Sequence, residues 1–247
     1  AAGNVTFSGA VGGSTRLGTL NIVTAGDVTA GALTLAAFDQ DAGTGTTTLG
    51  GAVDTNAAGG VVVANTNLAV NAAVTTTGNG VVTFTQSGTT TIAAAGNIIS
   101  DGAVTITSVG GTTTSADVTT TRDVIEFASN TAVNADLTLN TTSGGAAGAA
   151  ITFGGNITNG GANDLILVAG TGGAITVAGT TSVTDLTLTS GASAVFTGNV
   201  TVNDLITAST ATTITLNGAA NTFVEAIDFV NTGTVTLGNA TGDQSTF

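Results

Sequence analysis

Short strand-forming segments recur along the whole chain, and this repetition limits what the chain can fold into. The clearest unit is TDLTLTSGASAVFTGNVTVND, residues 184–204. An aspartate followed by an apolar residue marks successive units in the second half, at Asp136, Asp164, Asp185, Asp204 and Asp228. The intervals are 28, 21, 19 and 24 residues. A repeat of this length with two or three short strands is typical of one turn of a β-solenoid.

Within each unit the local pattern is apolar-Thr-apolar, as in LTL, VTF, ITV and VTI. This period of two places aliphatic side chains on one face of a strand and threonines on the other. Gly, Asn, Ser and Asp interrupt the strands about every eight to twelve residues, as turns between short strands do. The chain has no proline, which fits strands paired on both edges, because proline donates no hydrogen bond to a ladder.

We therefore predict an all-β fold, a right-handed parallel β-solenoid of about eleven irregular turns. Residues 1–247 are expected to form a single domain, with a candidate weak junction at 110–122, GGTTTSADVTTTR. Tandem β-sandwiches are the alternative, because they place strands at a similar spacing. Sandwiches usually keep Trp, Tyr or Cys in the core and a few prolines at turns, and this chain has none of these residues.

A second marker, apolar-x-Phe-x-Gly-x-apolar or a near match, occurs at residues 5–11, 151–157 and 194–200. Phe153 follows Asp136 by 17 residues, whereas Phe196 follows Asp185 by 11. The extra six residues fall in SGGAAGAA, 143–150, so we predict an insertion confined to a turn.

The repeated aspartates are expected to be staggered, because the turns differ in length. Each would then accept a hydrogen bond from the backbone of its own turn. An in-register column would place like charges about 5 Å apart, which is unfavourable unless the charges are screened or bridged by a metal.

The charge of the chain is strongly negative, with fifteen carboxylates against two cations, Arg16 and Arg122. A net charge of −13 argues against nucleic acid and anionic membrane surfaces as partners. Every apolar run is interrupted well before the ~20 residues of a membrane helix, so membrane insertion is not expected. The chain begins at Ala1 without a signal-peptide pattern, and we expect a processed protein or a piece of a longer one.

The residues of most catalytic sites are absent, since the chain has no His, Cys, Lys or Tyr. Carboxylate pairs such as Asp123 with Glu126, or Glu225 with Asp228, are three residues apart, a spacing that turns strand side chains to opposite faces. We predict no catalytic residues, no cofactor-binding residues and no enzymatic activity. The two arginines are expected to be surface charges near acids such as Asp123.

Calcium is the one metal that the sequence suggests. Asp39 and Asp41, in DQDAGTG, precede a glycine-rich turn and offer oxygen ligands of the kind that hard cations prefer. The segment lacks the further acidic positions of a helix-loop-helix calcium loop and the tandem nonapeptides of calcium-binding rolls. A solvated turn is the simpler interpretation.

The runs NVTFSGAVGG, ADLTLN and TDLTLTSGASAVFTGNVTV, with no Lys or Cys, resemble the passenger regions of giant Gram-negative surface proteins. These are the filamentous-haemagglutinin-like adhesins and the rickettsial surface-layer type of autotransporter. The resemblance implies a secreted, surface-exposed β-helix with structural or adhesive work.

Strand-like sequence runs from Asn4 almost to the end, without the Lys, Pro or polar caps that protect sheet edges. We therefore expect an extracellular structural protein whose ends pair with other copies in a filament or surface layer. One alternative is an adhesin stalk that binds a surface or host ligand through its loops. Another, suggested by residues 3–11, is a donor-strand-polymerised, pilin-like subunit. A flat threonine face for ice or polysaccharide is a further hypothesis, for which the runs 46–48, 89–91 and 112–114 lack periodicity.

Overall fold

The computed structural model describes residues 2–159 and 162–247, and within these ranges it contains thirty β-strands and no helix. The first ten strands are β1 (Val5–Phe7), β2 (Leu17–Ile22), β3 (Val28–Ala30), β4 (Leu33–Gln40), β5 (Thr46–Leu49), β6 (Val53–Thr55), β7 (Val61–Asn65), β8 (Asn67–Val70), β9 (Val74–Thr76) and β10 (Val82–Gln86). The next ten are β11 (Thr90–Ile92), β12 (Ile98–Ser100), β13 (Val104–Ser108), β14 (Thr112–Thr114), β15 (Val118–Thr120), β16 (Ile125–Phe127), β17 (Thr131–Val133), β18 (Leu137–Asn140), β19 (Ile151–Phe153) and β20 (Ile157–Asn159). The last ten are β21 (Leu165–Val168), β22 (Ala174–Val177), β23 (Thr181–Ser182), β24 (Asp185–Phe196), β25 (Val200–Val202), β26 (Asp204–Thr207), β27 (Ala211–Leu216), β28 (Ala220–Phe223), β29 (Val235–Leu237) and β30 (Gln244–Thr246).

The strands stack into three parallel ladders that run the length of the molecule. The first face is a twelve-stranded sheet, β1-β3-β5-β8-β11-β14-β17-β20-β23-β25-β28-β30. The second face contains the start of β4, then β6, β9, β12, β15, β18, β21, the start of β24, and β26. The third contains β2, the end of β4, then β7, β10, β13, β16, β19, β22, the end of β24, β27 and β29.

From β3 to β28 the chain visits the three faces in the same order in each turn, which makes the fold a β-solenoid. The twelve strands of the first face are separated by eleven steps, so the coil has about eleven turns, as the sequence predicted. Every pairing between the described strands is parallel. Sandwiches are built from antiparallel strands, so that alternative is wrong. The right-handed sense of the coil stays a prediction.

The most regular sequence unit, 184–204, contains one long strand. Ser190 and Gly191 do not break it, and β24 runs continuously from Asp185 to Phe196. The strand bends around the corner between the second and third faces, and its pairing with β21 shifts register beside Val168. Small residues at the bend let one strand serve two faces.

The core is a set of vertical stacks, because inward side chains of successive turns lie in register. Phe84, Ile106 and Phe127 follow one another on the third face and are buried. The ring of Phe127 stacks on that of Phe153 in the next turn, with centroids 5.3 Å apart. Valine, leucine and isoleucine fill the remaining layers, so repetition of small aliphatics replaces the large side chains of a globular core.

Two of the corners are lined by buried polar side chains. Between the second and third faces, the Thr76 and Ser100 hydroxyls lie 3.0 Å apart. Between the third and first faces, the Thr90 hydroxyl donates to Gln86 Oε1 at 2.7 Å and lies 2.7 Å from Ser108 Oγ. Buried polar groups are tolerated where they find such partners, so the corners stay ordered although they lie inside the coil.

The two irregular segments do not interrupt the ladders. Within 110–122, the suggested weak junction, β14 and β15 each pair with strands of the turns before and after. The predicted insertion lies between β18 and β19, outside the strands, as expected. Gly144 packs closely there, since a Cβ atom would come 2.2 Å from Thr121 O.

Candidate functional site

The two carboxylates of the calcium hypothesis lie together on the surface of the third face. Asp39 is half-buried on β4 and Asp41 is exposed just beyond it. Asn21 on β2 donates from Nδ2 to Asp39 Oδ2 and to Asp41 Oδ2, each at 3.4 Å. An amide donor thus occupies the space between them. Ca²⁺ takes six to eight oxygen ligands in proteins. Calcium binding by Asp39 and Asp41 stays a prediction.

A shallow cavity of about 410 Å³ lies next to Asp41. Asn65 and Gln86 from the corner line it, together with the outward side chains Thr85 and Val109. Asn65 is buried, and its Oδ1 has no hydrogen-bond partner among the described residues. The cavity does not supply a partner for this oxygen, because the atom itself is shielded from solvent.

Four of the five repeated aspartates form a single column along the corner before the second face. Asp164 N–H donates to Asp136 Oδ1 at 3.0 Å, Asp185 N–H to Asp164 Oδ1 at 3.2 Å, and Asp204 N–H to Asp185 Oδ1 at 3.2 Å. The strands that follow pair in register, with Leu137 opposite Leu165 and Leu186 opposite Leu205. We call Asp136, Asp164, Asp185 and Asp204 the aspartate column.

The expected stagger of these residues is therefore wrong, and so is the expected hydrogen bond within each turn. The extra residues of the 28-residue interval are confined to loops such as 141–150, so the parallel ladder restores the register beyond them. Each carboxylate caps the backbone of the next turn instead of its own. Asp228 does not extend the column, since its carbonyl accepts from Thr207 Oγ1, three residues beyond Asp204.

Burial and the negative charge of the aspartate column both act on Asp164, which lies near the middle of the column. Burial raises the pKa of Asp164 above its ordinary value, the N–H donated by Asp185 lowers it, and the carboxylates of Asp185 and Asp136 raise it again. Neighbouring strands of a ladder lie about 4.8 Å apart. Among the described residues, no group of three or more His, Cys, Asp or Glu side chains is placed to hold a metal ion.

The two arginines differ in their surroundings. Arg16 Nη2 forms an ion pair with Asp54 Oδ2 at 2.7 Å, and its Nη1 donates to the carbonyls of Leu35 and Asp54 at 2.7 and 2.8 Å. It therefore ties the first turn of the coil to the next two. Arg122 forms no ion pair within the described part of the chain, and its Nε donates to Thr121 O at 3.3 Å.

Arg122 stands at the mouth of the larger cavity, about 660 Å³, at the corner between the second and third faces. The lining is polar and comprises Asn79, Asp101, Thr121, Arg122, Asp123 and Gly144. Asp101 accepts from the Asn79 N–H and from the Thr121 hydroxyl, both at 2.8 Å, and these bonds lower its pKa. Arg122 has a φ of 111°, an uncommon conformation for a residue other than glycine.

The first of the two candidate carboxylate pairs is divided between a strand surface and a corner. Glu126 projects from the outer surface of β16, whereas Asp123 lines the corner cavity. Glu225 and Asp228 lie in the final turn, beyond β28. The expectation that the chain has no catalytic residue stays a prediction.

The two ends of the coil form a further candidate site, because the core is incompletely covered there. Among the described residues, seven partly buried apolar side chains pack against the core, and all belong to the first or last turn: Val5, Phe7, Val11, Leu20, Ile227, Phe229 and Val235. Leu17 at one end is 50% exposed, and Leu237 and Phe247 at the other are 43% and 55% exposed. Phe247 stacks on Phe223 with ring centroids 5.4 Å apart.

Sequence reasoning missed the aspartate column and the corner cavity, although part of the signal was present. The Asp-apolar markers identified the residues of the column, but their unequal intervals concealed the register. The cavity depends on loops from four turns and on the backbone conformation of Arg122, which no local pattern specifies.

The solenoid architecture defines the class of protein to which the chain belongs. No family model, curated protein or solved structure matches the chain. Its resemblance to surface adhesins and autotransporters therefore stays a prediction. Within residues 2–159 and 162–247, no helix is long and apolar enough to cross a membrane.

Proposed function

We propose that the chain is a non-enzymatic, extracellular structural protein whose coil continues from copy to copy, forming a filament or surface layer. The observation that carries this proposal is the pair of open ends. β1 and β2 at one end, and β29 and β30 at the other, each pair with a single strand within the described residues. Unpaired strand edges of this kind recruit further strands.

The two ends suit each other in geometry. Both present parallel strands of the first and third faces in the same direction, so β30 can pair with β1 of the next copy and β29 with β2. Apolar side chains lie behind each edge, and stacking would bury them as the inner turns bury theirs. A head-to-tail contact that does not close on itself produces an open filament.

The ends also differ in charge. Residues 2–26 contain Arg16 and no carboxylate, whereas residues 224–247 contain Glu225, Asp228 and Asp243 and no cation. Because Asp54 already pairs with Arg16, the difference acts through repulsion: tail-to-tail contact would bring two acidic ends together, which head-to-tail contact avoids. The total charge of −13 opposes association at long range, so assembly should increase as salt or acid reduces that charge.

Electron microscopy of the purified chain tests the proposal. We expect unbranched filaments with a subunit repeat of roughly 50 Å, the length of eleven steps at about 4.8 Å each. Leu237→Asp places a charge on the exposed apolar end and should abolish them. Ile99→Asp is the matched control, because Ile99 is similarly exposed, at 50% against 43% for Leu237, but lies on the second face in the middle of the coil.

Filaments of Ile99→Asp and dispersed Leu237→Asp would support end-to-end stacking. Wild-type protein that stays monomeric at high concentration, both at neutral pH and where the carboxylates are protonated, would exclude it. If both substitutions reduced filament formation equally, the cause would be loss of folding or the added charge, and not the loss of the end contact.

The adhesin alternative is favoured by one observation, the corner cavity beside Arg122. A volume of about 660 Å³ is of the size of small-ligand sites, and the lining offers a cation, carboxylates and a hydroxyl to a polar ligand such as a saccharide. Glycan-array binding that Arg122→Ala abolishes would support this role. The pilin-like alternative has less support, since β1 already pairs in parallel with β3.

A further inference from the structure

A ladder of hydroxyl groups runs along the whole outer surface of the first face. One outward residue from each of its twelve strands lies in register with the next, from Thr6 on β1 to Thr246 on β30. Nine are threonines, and the others are Ser182, Ala69 and Ala132. All twelve are exposed or half-buried. We call this set the threonine ladder.

The hydroxyls of the threonine ladder are free to bind a partner. None of the ten forms a hydrogen bond to another of the described residues, in contrast to the buried threonines of the corners. Threonine has a stiff χ1 angle in strands, so the ladder presents its hydroxyl and methyl groups at a fixed spacing of about 4.8 Å.

The first face is also distinct in charge. None of its twelve strands contains an acidic or basic residue. On the other two faces carboxylates occur within strands, for example Asp54 on β6 and Glu126 on β16. On the third face Glu126 directly interrupts the corresponding column, between Thr105 and Thr152. In a chain of net charge −13, the first face is therefore the surface on which a second acidic rod meets the least repulsion.

We propose that the threonine ladder is a self-association face, and that its partner is the first face of a second copy of this chain. A two-fold contact requires a self-complementary surface. Hydroxyl groups meet this requirement because each both donates and accepts, whereas the aspartate column only accepts. Two ladders of identical short side chains at strand spacing can interdigitate, as the sheets of a steric zipper do. This sideways contact does not depend on end-to-end stacking.

The size of the face sets the expected strength. Eleven steps of about 4.8 Å and a width of three residues at about 3.3 Å each give roughly 500 Å² per copy. A stable interface buries about 800 Å² on each partner, so a pair of single rods should associate only weakly. If the rods are joined end to end, the contacts along them act together and the sideways association becomes much stronger.

Sedimentation velocity on the Leu237→Asp variant isolates this contact from end-to-end assembly. We expect a concentration-dependent dimer. Thr113→Asp should raise its dissociation constant about tenfold, because the two-fold contact brings the new charges together. Thr83→Asp is the matched control on the third face and should leave the dimer unchanged. Both threonines are half-buried in mid-coil, and neither has a charged neighbour in its ladder.

Disulfide cross-linking gives a second readout, which the absence of cysteine makes simple. Thr113→Cys should yield a covalent dimer on mild oxidation, several-fold faster than Thr83→Cys, and the thiol-free parent should yield none. This measurement keeps the proposal testable if Thr113→Asp folds poorly.

A chain that stays monomeric near millimolar concentration, or equal cross-linking rates for the two cysteine variants, would overturn the proposal. So would thermal hysteresis or polysaccharide binding by the monomer that Thr113→Asp abolishes, because the face would then have another occupant. Loss of filaments without loss of the sideways dimer would contradict only the end-to-end function.

Discussion

The carboxylate of Asp185 accepts the backbone N–H of Asp204, one turn further along the coil, at 3.2 Å. The same bond joins each member of the aspartate column to the next, so the chain uses one side chain per turn to fix the entry to the second face. Capping stabilises this corner, but it places four carboxylates in adjacent rungs. Hydrogen bonding and charge repulsion therefore act in opposite directions at the same atoms.

The pH dependence of stability should reveal this opposition. Burial first, and then the carboxylates of Asp185 and Asp136, raise the pKa of Asp164, so the native residue binds a proton more readily than the unfolded chain does. The charge on Asp164 is therefore a penalty at neutral pH, and its contribution to stability should become more favourable as the pH falls toward the ordinary value of 3.8. Asp164→Asn keeps an oxygen acceptor for Asp185 N–H and removes the charge, so we expect it to raise the free energy of unfolding at pH 7 by about 0.5 kcal/mol.

Urea denaturation followed by circular dichroism at pH 7 and about pH 4.5 measures both effects. Asp117→Asn provides the control. The carboxylate of Asp117 accepts from the Thr138 N–H at 2.8 Å, and the Asp117 N–H donates to Asn97 Oδ1 at 3.1 Å. Asp117 therefore makes the same two bonds as a member of the aspartate column, but without an adjacent aspartate. If Asp117→Asn stabilised the chain as much as Asp164→Asn, the gain could not be attributed to repulsion within the column.

Asp101 should show the opposite pH dependence. Its pKa is lowered, first by the N–H of Asn79 and then by the Thr121 hydroxyl. The stability it contributes is present above pH 3.8 and is lost as the pH falls through the lowered pKa. Asp101→Asn leaves one of the two donors unpaired and should lower the melting temperature at pH 7, with little difference from wild type in strong acid. Asp123→Asn, in the same cavity, should have a smaller effect at both pH values.

The solenoid fold could be predicted because its signals are local. The alternation of residues such as Leu186, Thr187 and Leu188 specifies strands, and the repeat length specifies one turn. Which face a strand joins depends on pairing between turns. Phe7 and Phe153 occupy the same motif, yet Phe7 lies on the first face and Phe153 on the third.

The candidate surfaces were less predictable for the same reason. The threonine ladder takes one residue per turn at unequal intervals, so runs such as Thr112, Thr113 and Thr114 gave no indication of it. Only Thr113 of that run faces outward, while the other two are buried. A ladder of this kind is defined by register, which is a property of the stacked coil and not of any segment.

Gly60 should be intolerant of a side chain. Its φ is +57°, and a Cβ atom would lie 1.9 Å from Val81 O in the next turn. Gly60→Ala should therefore lower the free energy of unfolding by about 1–3 kcal/mol, since both the backbone and its neighbour must move. The midpoint of urea denaturation gives the measurement.

Gly18→Ala controls for the loss of glycine itself. Gly18 lies on β2, and a Cβ atom there would meet nothing within 4 Å. We expect it to be neutral or slightly stabilising, because alanine reduces the entropy of the unfolded chain. A comparable loss at both positions would mean that the close approach at Gly60 has no special role.

The stacked rings of Phe127 and Phe153 test how far the core depends on contact between neighbouring turns. Both side chains are fully buried, so Phe127→Ala should cost about 3–5 kcal/mol. Phe153→Ala should cost a similar amount, and the double variant less than the sum by about 0.5–1.5 kcal/mol, because the first substitution already removes the aromatic contact. Phe247→Ala is the control, since this ring is 55% exposed and should change stability by less than about 1 kcal/mol. Additive losses at Phe127 and Phe153 would show that each ring is held by its own turn, and that the vertical stack contributes little to the coil.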